Sequence, residues 1–117
     1  MDMDAVSLFK ALSDTTRLRC VILLTEHGEL CVCELTHALG LPQPKVSHHL
    51  AALRKAGVVT GRKEGLWHYY RISDTLPQWA HQVLQAAAQG SREGSPFRDD
   101  GVALAEMPNR PGGVCSA

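Results

Sequence analysis

Residues 41–72 read LPQPKVSHHLAALRKAGVVTGRKEGLWHYYRI. Pro44 opens a helix well, because its missing N–H would have no intrahelical partner there. Val46, Leu50 and Leu53 then recur at i, i+4 and i+7 as one buried stripe. The opposite face carries Gln43, Lys45, Ser47, His48, Arg54 and Lys55, and Gly57 closes the helix. Val58 to Lys63 and Leu66 to Ile72 flank Glu64-Gly65, so a basic hairpin follows directly.

Upstream, Val6, Leu8, Phe9 and Leu12 repeat at helical spacing until Ser13-Asp14, which ends one helix and caps the next. Leu18, Val21, Ile22 and Leu24 carry a second helix to His27-Gly28. A short third begins around Cys31 to Cys33, buries Leu35, Ala38 and Leu39 and stops at Gly40, leaving Leu41-Pro42-Gln43 as a tight link. Downstream, a last helix from Leu76 to Gln89 aligns Leu76, Trp79, Ala80, Val83, Leu84 and Ala87. From Gly90 to Ala117, eleven of 28 residues are Gly, Pro or Ser without a sustained apolar period. That composition predicts residues 1–89 as the folded domain and 90–117 as a flexible C-terminal tail.

Two short helices joined by a tight link, the second polar outward and followed by a basic hairpin, make a mainly α winged helix-turn-helix. In such a unit the start of the second helix meets base edges and basic side chains meet phosphates. Gln43, Ser47 and His48 are therefore the expected groove contacts, because Gln pairs with adenine and Ser or His can donate or accept. Lys45, Arg54, Arg62 and Lys63 are the expected phosphate contacts. His49 lies beside the apolar stripe and is expected to pack. Tyr69 and Tyr70 alternate along a strand, so one should point inward.

Charge agrees with this placement. Lys plus Arg and Asp plus Glu both number 12 over the 117 residues, which hides an uneven distribution. Residues 41–75 hold six basic side chains against Glu64 and Asp74, a net of +4, while the first forty residues are net negative. No run approaches the ~18 apolar residues of a membrane span, and Met1-Asp2-Met3-Asp4 lacks the basic start of a signal peptide. A cytoplasmic location is expected, with no membrane partner. There Cys20, Cys31, Cys33 and Cys115 would stay reduced.

Cys31-Val32-Cys33 lies at the entry to the third helix. Soft thiolates select soft or borderline ions, here As(III), Sb(III), Cd(II), Pb(II) or Zn(II), and a helix N-terminus favours the thiolate form. In an α-helix, positions i and i+2 lie about 200° apart, whereas in extended backbone they share a face. Gripping one ion is thus expected to unwind or prevent the first turn of the helix that supports the DNA-reading helix. Cys20, inside the apolar second helix, is expected in the core.

The runs Glu29-Leu30-Cys31-Val32-Cys33-Glu34-Leu35 and Gln43-Pro44-Lys45-Val46-Ser47-His48-His49-Leu50 together resemble the ArsR/SmtB family of metal-sensing repressors. Leu12-Ser13-Asp14-Thr15-Thr16-Arg17-Leu18 and the hairpin Arg62 to Arg71 fit the same family, so the resemblance covers about residues 5–88. It implies a homodimer paired through the first and last helices that binds double-stranded operator DNA and dissociates when an inducer occupies Cys31 and Cys33. The similarity is nearest to arsenite-responsive members, whose pattern commonly continues Cys-Val-Cys-Asp-Leu-Cys. Here the third position is Thr36, a poor arsenic ligand, so the site is either two-coordinate from protein or completed from elsewhere, by Cys115, which could reach either subunit, or by a small-molecule thiol. Cadmium and lead sensors add cysteines from an N-terminal extension, and Met1 to Lys10 holds none. As(III) or Sb(III) is therefore the preferred inducer and Cd(II) or Pb(II) the alternative. Zinc sensors place several Asp, His and Glu residues on the last helix, where this chain offers only His81. Family patterns often have Ser and Arg where this chain has Pro42 and His48, which bears on the operator sequence.

Two other classes compete. An arsenate or disulfide reductase usually needs Cys-x-x-Cys or a phosphate-cradling loop, and neither occurs, so no enzyme is expected. A winged-helix module binding protein rather than DNA is disfavoured by the basic hairpin, and salt-dependent binding to duplex DNA discriminates the two.

Overall fold

The computed structural model describes residues 3–110. Helix α1 (Ala5–Leu12) starts at Asp4, whose carboxylate accepts the Ser7 N–H at 2.8 Å. Asp14 caps α2 (Thr15–His27) the same way through the Arg17 N–H at 3.0 Å. Each cap satisfies a donor that the first turn leaves orphaned. A two-residue strand β1 (Leu30–Cys31) leads into α3 (Val32–Leu39), which ends at Gly40 in the left-handed conformation, φ 66°. After the link comes α4 (Gln43–Lys55), with Pro44 in its first turn. Strands β2 (Val59–Glu64) and β3 (Trp67–Ile72) form the hairpin, followed by α5 (Gln78–Ser91) and α6 (Phe97–Ala105).

The antiparallel sheet runs β1-β3-β2, with Cys31 opposite Tyr69 and Arg62 opposite Tyr69 on the other side. Strand β1 had no periodic signal because two residues show no period; the free edge of β3 creates it. Leu8, Leu23, Leu24, Leu35, Val46, Leu50, Leu53 and Leu84 form the core, all at most 2% exposed. Cys20 belongs to it, as expected.

Three expectations change. On α1 only Leu8 and Leu12 face inward, while Val6 and Phe9 are 77% and 55% exposed. Tyr69 and Tyr70 are both buried, since β1 and the Arg62 side chain cover the face on which Tyr69 lies. The supposed tail from residue 90 onward is structured as far as residue 110: α5 continues to Ser91, and α6 packs against α2 and α3. Leu104 is fully buried, and Asp100 takes Arg19 in a two-bond ion pair at 2.7 and 2.9 Å. Arg19 also donates to the Leu39 carbonyl at 3.1 Å, so one guanidinium ties α2, α3 and α6 together. Residues 111–117, including Cys115, lie outside the described residues. No helix among the described residues is long and apolar enough to cross a membrane.

Candidate thiol site and nucleic-acid interface

Cys31 ends β1 in extended backbone and is the N-cap of α3, φ −74° and ψ 153°, while Cys33 sits in the first helical turn. The strand-to-helix junction falls between them, so the two sulfurs converge at 2.9 Å with the Cys33 thiol donating to Cys31. The junction itself, with Cys31 extended and Cys33 helical, places both thiols on one side. Glu34 completes a capping box, its Oε1 accepting the Cys31 N–H at 2.7 Å. Its Oε2 accepts from Arg110 Nε at 2.7 Å, in a pair whose carboxylate side chain is only 3% exposed.

Protonation departs from expectation too. Burial, then the hydrogen bond to Cys31 and the charge of that neighbour, push the Cys33 thiol up to about 12. The helix N-terminus does not outweigh these effects, and Cys33 is held as a neutral thiol at neutral pH. Burial likewise raises Cys20 to about 12, which marks it as an unreactive core residue.

Two convergent soft donors suit a thiophilic centre. Thr36 Oγ1 is buried and has no hydrogen-bond partner among the described residues. No group of three or more His, Cys, Asp or Glu side chains gathers there either, so the described residues supply two sulfurs and stop.

The nucleic-acid surface lies on α4 and the hairpin. Val46, Leu50 and Leu53 are fully buried and turn Gln43, Lys45, His48 and Arg54 outward, with Ser47 half-buried beside them. Lys45, Arg54 and Lys63 make no ion pair among the described residues. Arg62 differs from the sequence expectation. It binds Glu29 through two bonds at 2.7 and 2.9 Å, Glu64 at 2.7 Å, and the Tyr69 ring at 4.6 Å. Its charge is already matched, and it braces the hairpin against the residue that precedes β1. His49 is packed, 14% exposed, with Nδ1 3.7 Å from Asp14.

Glu29, Glu34, Gly61 and Arg110 were not singled out from sequence. Glu29 and Arg110 act through partners 33 and 76 residues away, which no local pattern encodes. At Gly61 a Cβ would lie 3.0 Å from the Tyr70 ring and 3.1 Å from His68, so glycine lets those stacked rings cross β2.

Comparison with known proteins gives a consistent result. Residues 14–60 match the family described as bacterial regulatory protein, arsR family. The chain is 50% identical over 104 residues to the arsenic resistance transcriptional regulator ArsR1 of Pseudomonas putida, covering 89% of this chain and 80% of that one. Among solved structures it resembles the AntR antimony-specific transcriptional repressor, with a TM-score of 0.63 and 31% identity over 75% of this chain and 77% of that one. It also resembles the homodimeric winged helix-turn-helix DNA-binding domain of Mb0332 from Mycobacterium bovis, with a TM-score of 0.61 and 30% identity over 75% and 78% of the two chains.

Proposed function

The chain belongs to the bacterial ArsR family of transcription regulators, and from that premise we propose that it is an arsenic-responsive repressor. It binds operator DNA as a homodimer and releases it when As(III) or Sb(III) occupies Cys31 and Cys33. The observation that carries this reading is the pair of converging thiols at the start of α3, the helix that packs directly on the DNA-reading α4.

Arsenous acid brings its own hydroxides, so each thiol proton leaves as water when a sulfur–arsenic bond forms. Two routes run from the thiols to the DNA surface. Cys33 lies in the first turn of α3, and Cys31 pairs across the sheet with Tyr69 of the hairpin. Dimer formation would cover the exposed Val6 and Phe9 of α1 and the partly exposed Trp79 of α5.

The test is fluorescence anisotropy of the reduced protein on DNA from upstream of its gene, titrated with arsenite and with Cd(II). Release at lower arsenite than Cd(II), lost in Cys31→Ser and Cys33→Ser while DNA binding persists, is the expected result. Release by Cd(II) alone would make it a divalent-metal sensor, and an absence of DNA binding would overturn the repressor reading.

A further inference from the structure

Glu34 makes two bonds from one buried carboxylate. Its Oε1 accepts the Cys31 N–H at 2.7 Å and its Oε2 accepts from Arg110 Nε at 2.7 Å, with the side chain 3% exposed. The first bond fixes where α3 begins. Bound to the side chain three residues ahead, Cys31 stays at the N-cap in extended backbone and Cys33 falls inside the first turn. That boundary brings the sulfurs to 2.9 Å. If Cys31 joined the helix, sulfurs at i and i+2 would lie about 200° apart. The second bond keeps Glu34 in place. A buried carboxylate that loses its cation is strongly destabilised and is drawn toward water, which here would take the acceptor away from Cys31.

Arg110 reaches this point from the far end of the described chain. Helix α6 packs on α2 and α3 through buried Leu104 and the two-bond Arg19–Asp100 pair, and the segment after it leads to Arg110. Arg19 also donates to the carbonyl of Leu39, the last residue of α3. The C-terminal segment therefore grips α3 at both ends, through Asp100 and Arg19 at Leu39 and through Arg110 at Glu34.

We propose that Arg110 is a positioning residue of the inducer site: through Glu34 it holds the β1–α3 junction in the form that keeps Cys31 and Cys33 converged, so that the segment following α6 sets the affinity of the thiol pair. The inference rests on the trivalent-metalloid reading above and adds to it the group that preorganises the two thiols. Holding the junction in its binding form beforehand removes the cost of ordering it when the metalloid arrives. Linkage makes the effect reciprocal: a metalloid bridging both sulfurs stabilises the same junction, and with it the hold on Arg110.

The test is the arsenite affinity of the full-length protein, read from sulfur-to-arsenic charge-transfer absorption with a phosphine as reductant. It compares wild type with Arg110→Gln, Arg110→Lys, Glu34→Gln and the double variant Glu34→Gln/Arg110→Gln, each checked for folding by circular dichroism. Arg110→Gln should weaken arsenite binding about tenfold, and Arg110→Lys, which keeps the charge, should recover most of that loss. Glu34→Gln retains an acceptor for the Cys31 N–H but removes the charge that Arg110 pairs with. Adding Arg110→Gln to it should therefore cost less than about twofold more. In wild type, loading arsenite should slow amide hydrogen exchange at residues 106–110 as well as at Cys31, a readout that needs no variant to fold. Unchanged affinity in Arg110→Gln, equal losses from Arg110→Gln in the two backgrounds, or exchange at residues 106–110 indifferent to arsenite would each overturn the assignment while leaving the arsenic-sensing reading intact. Undiminished arsenite binding by the Cys31→Ser/Cys33→Ser protein would overturn both.

Discussion

Cys33 is a thiol that keeps its proton. Burial and the hydrogen bond to Cys31 stabilise the neutral form in the folded state. The stability this contributes is fully present below the unfolded thiol's pKa of about 8.5 and drains away as pH rises towards 12. The measurable consequence is kinetic. Alkylation of Cys33 by iodoacetamide, followed by peptide mass spectrometry, should keep accelerating through pH 10, and a plateau by about pH 9 would refute the raised pKa. Thr36 gives a second prediction at this scale. Its buried hydroxyl has no partner among the described residues, so Thr36→Val should stabilise the protein by about 1 kcal/mol, read from urea unfolding. A loss of stability would mean the hydroxyl is satisfied in solution.

Among the elements, the hairpin and α6 carry the main consequences. Lys63 is exposed and unpaired among the described residues, whereas Arg62 is held by Glu29 and Glu64. Lys63→Gln should lower the slope of log affinity against log salt by about 1 per subunit. Arg62→Gln should change that slope much less while loosening the hairpin, and equal slopes for the two variants would show that Arg62 leaves its carboxylates to meet phosphate. For α6, Asp100→Asn removes the charge facing Arg19 at a position 2% exposed. A cost of about 3 kcal/mol is expected, with faster hydrogen exchange over residues 97–105. Unchanged exchange there would mean that Leu104 alone holds the helix. The helix-turn-helix and hairpin were legible because their stripes and turn glycines are local signals. Helix α6 was not, because among its nine residues Leu104 is the only buried apolar side chain and the partner of Asp100 lies 81 residues upstream.

Across the whole molecule, the exposed Val6 and Phe9 remain on a helix whose other face is in the core. A charge at that surface should be tolerated by the monomer and rejected by an interface. Phe9→Asp is expected to shift the protein from dimer to monomer in analytical ultracentrifugation and to weaken operator binding at least tenfold, with α-helical content kept. A dimer that survives this substitution would place the interface elsewhere.

The sequence by itself determined the winged helix-turn-helix, the outward face of α4 and the position of the Cys31–Cys33 pair. Periodicity, caps and turn residues act within a few positions, and the Cys-Val-Cys spacing is legible directly. Only the tertiary structure decided that the sulfurs converge at the strand-to-helix junction, that Cys33 is a neutral thiol, that Arg62 is a brace, and that Arg110, beyond α6, is bound to the Glu34 that caps Cys31. Each depends on burial or on a charge brought from elsewhere in the chain: β1 exists because β3 offers an edge, and Glu29, Glu34 and Asp100 find their cations across 33, 76 and 81 residues.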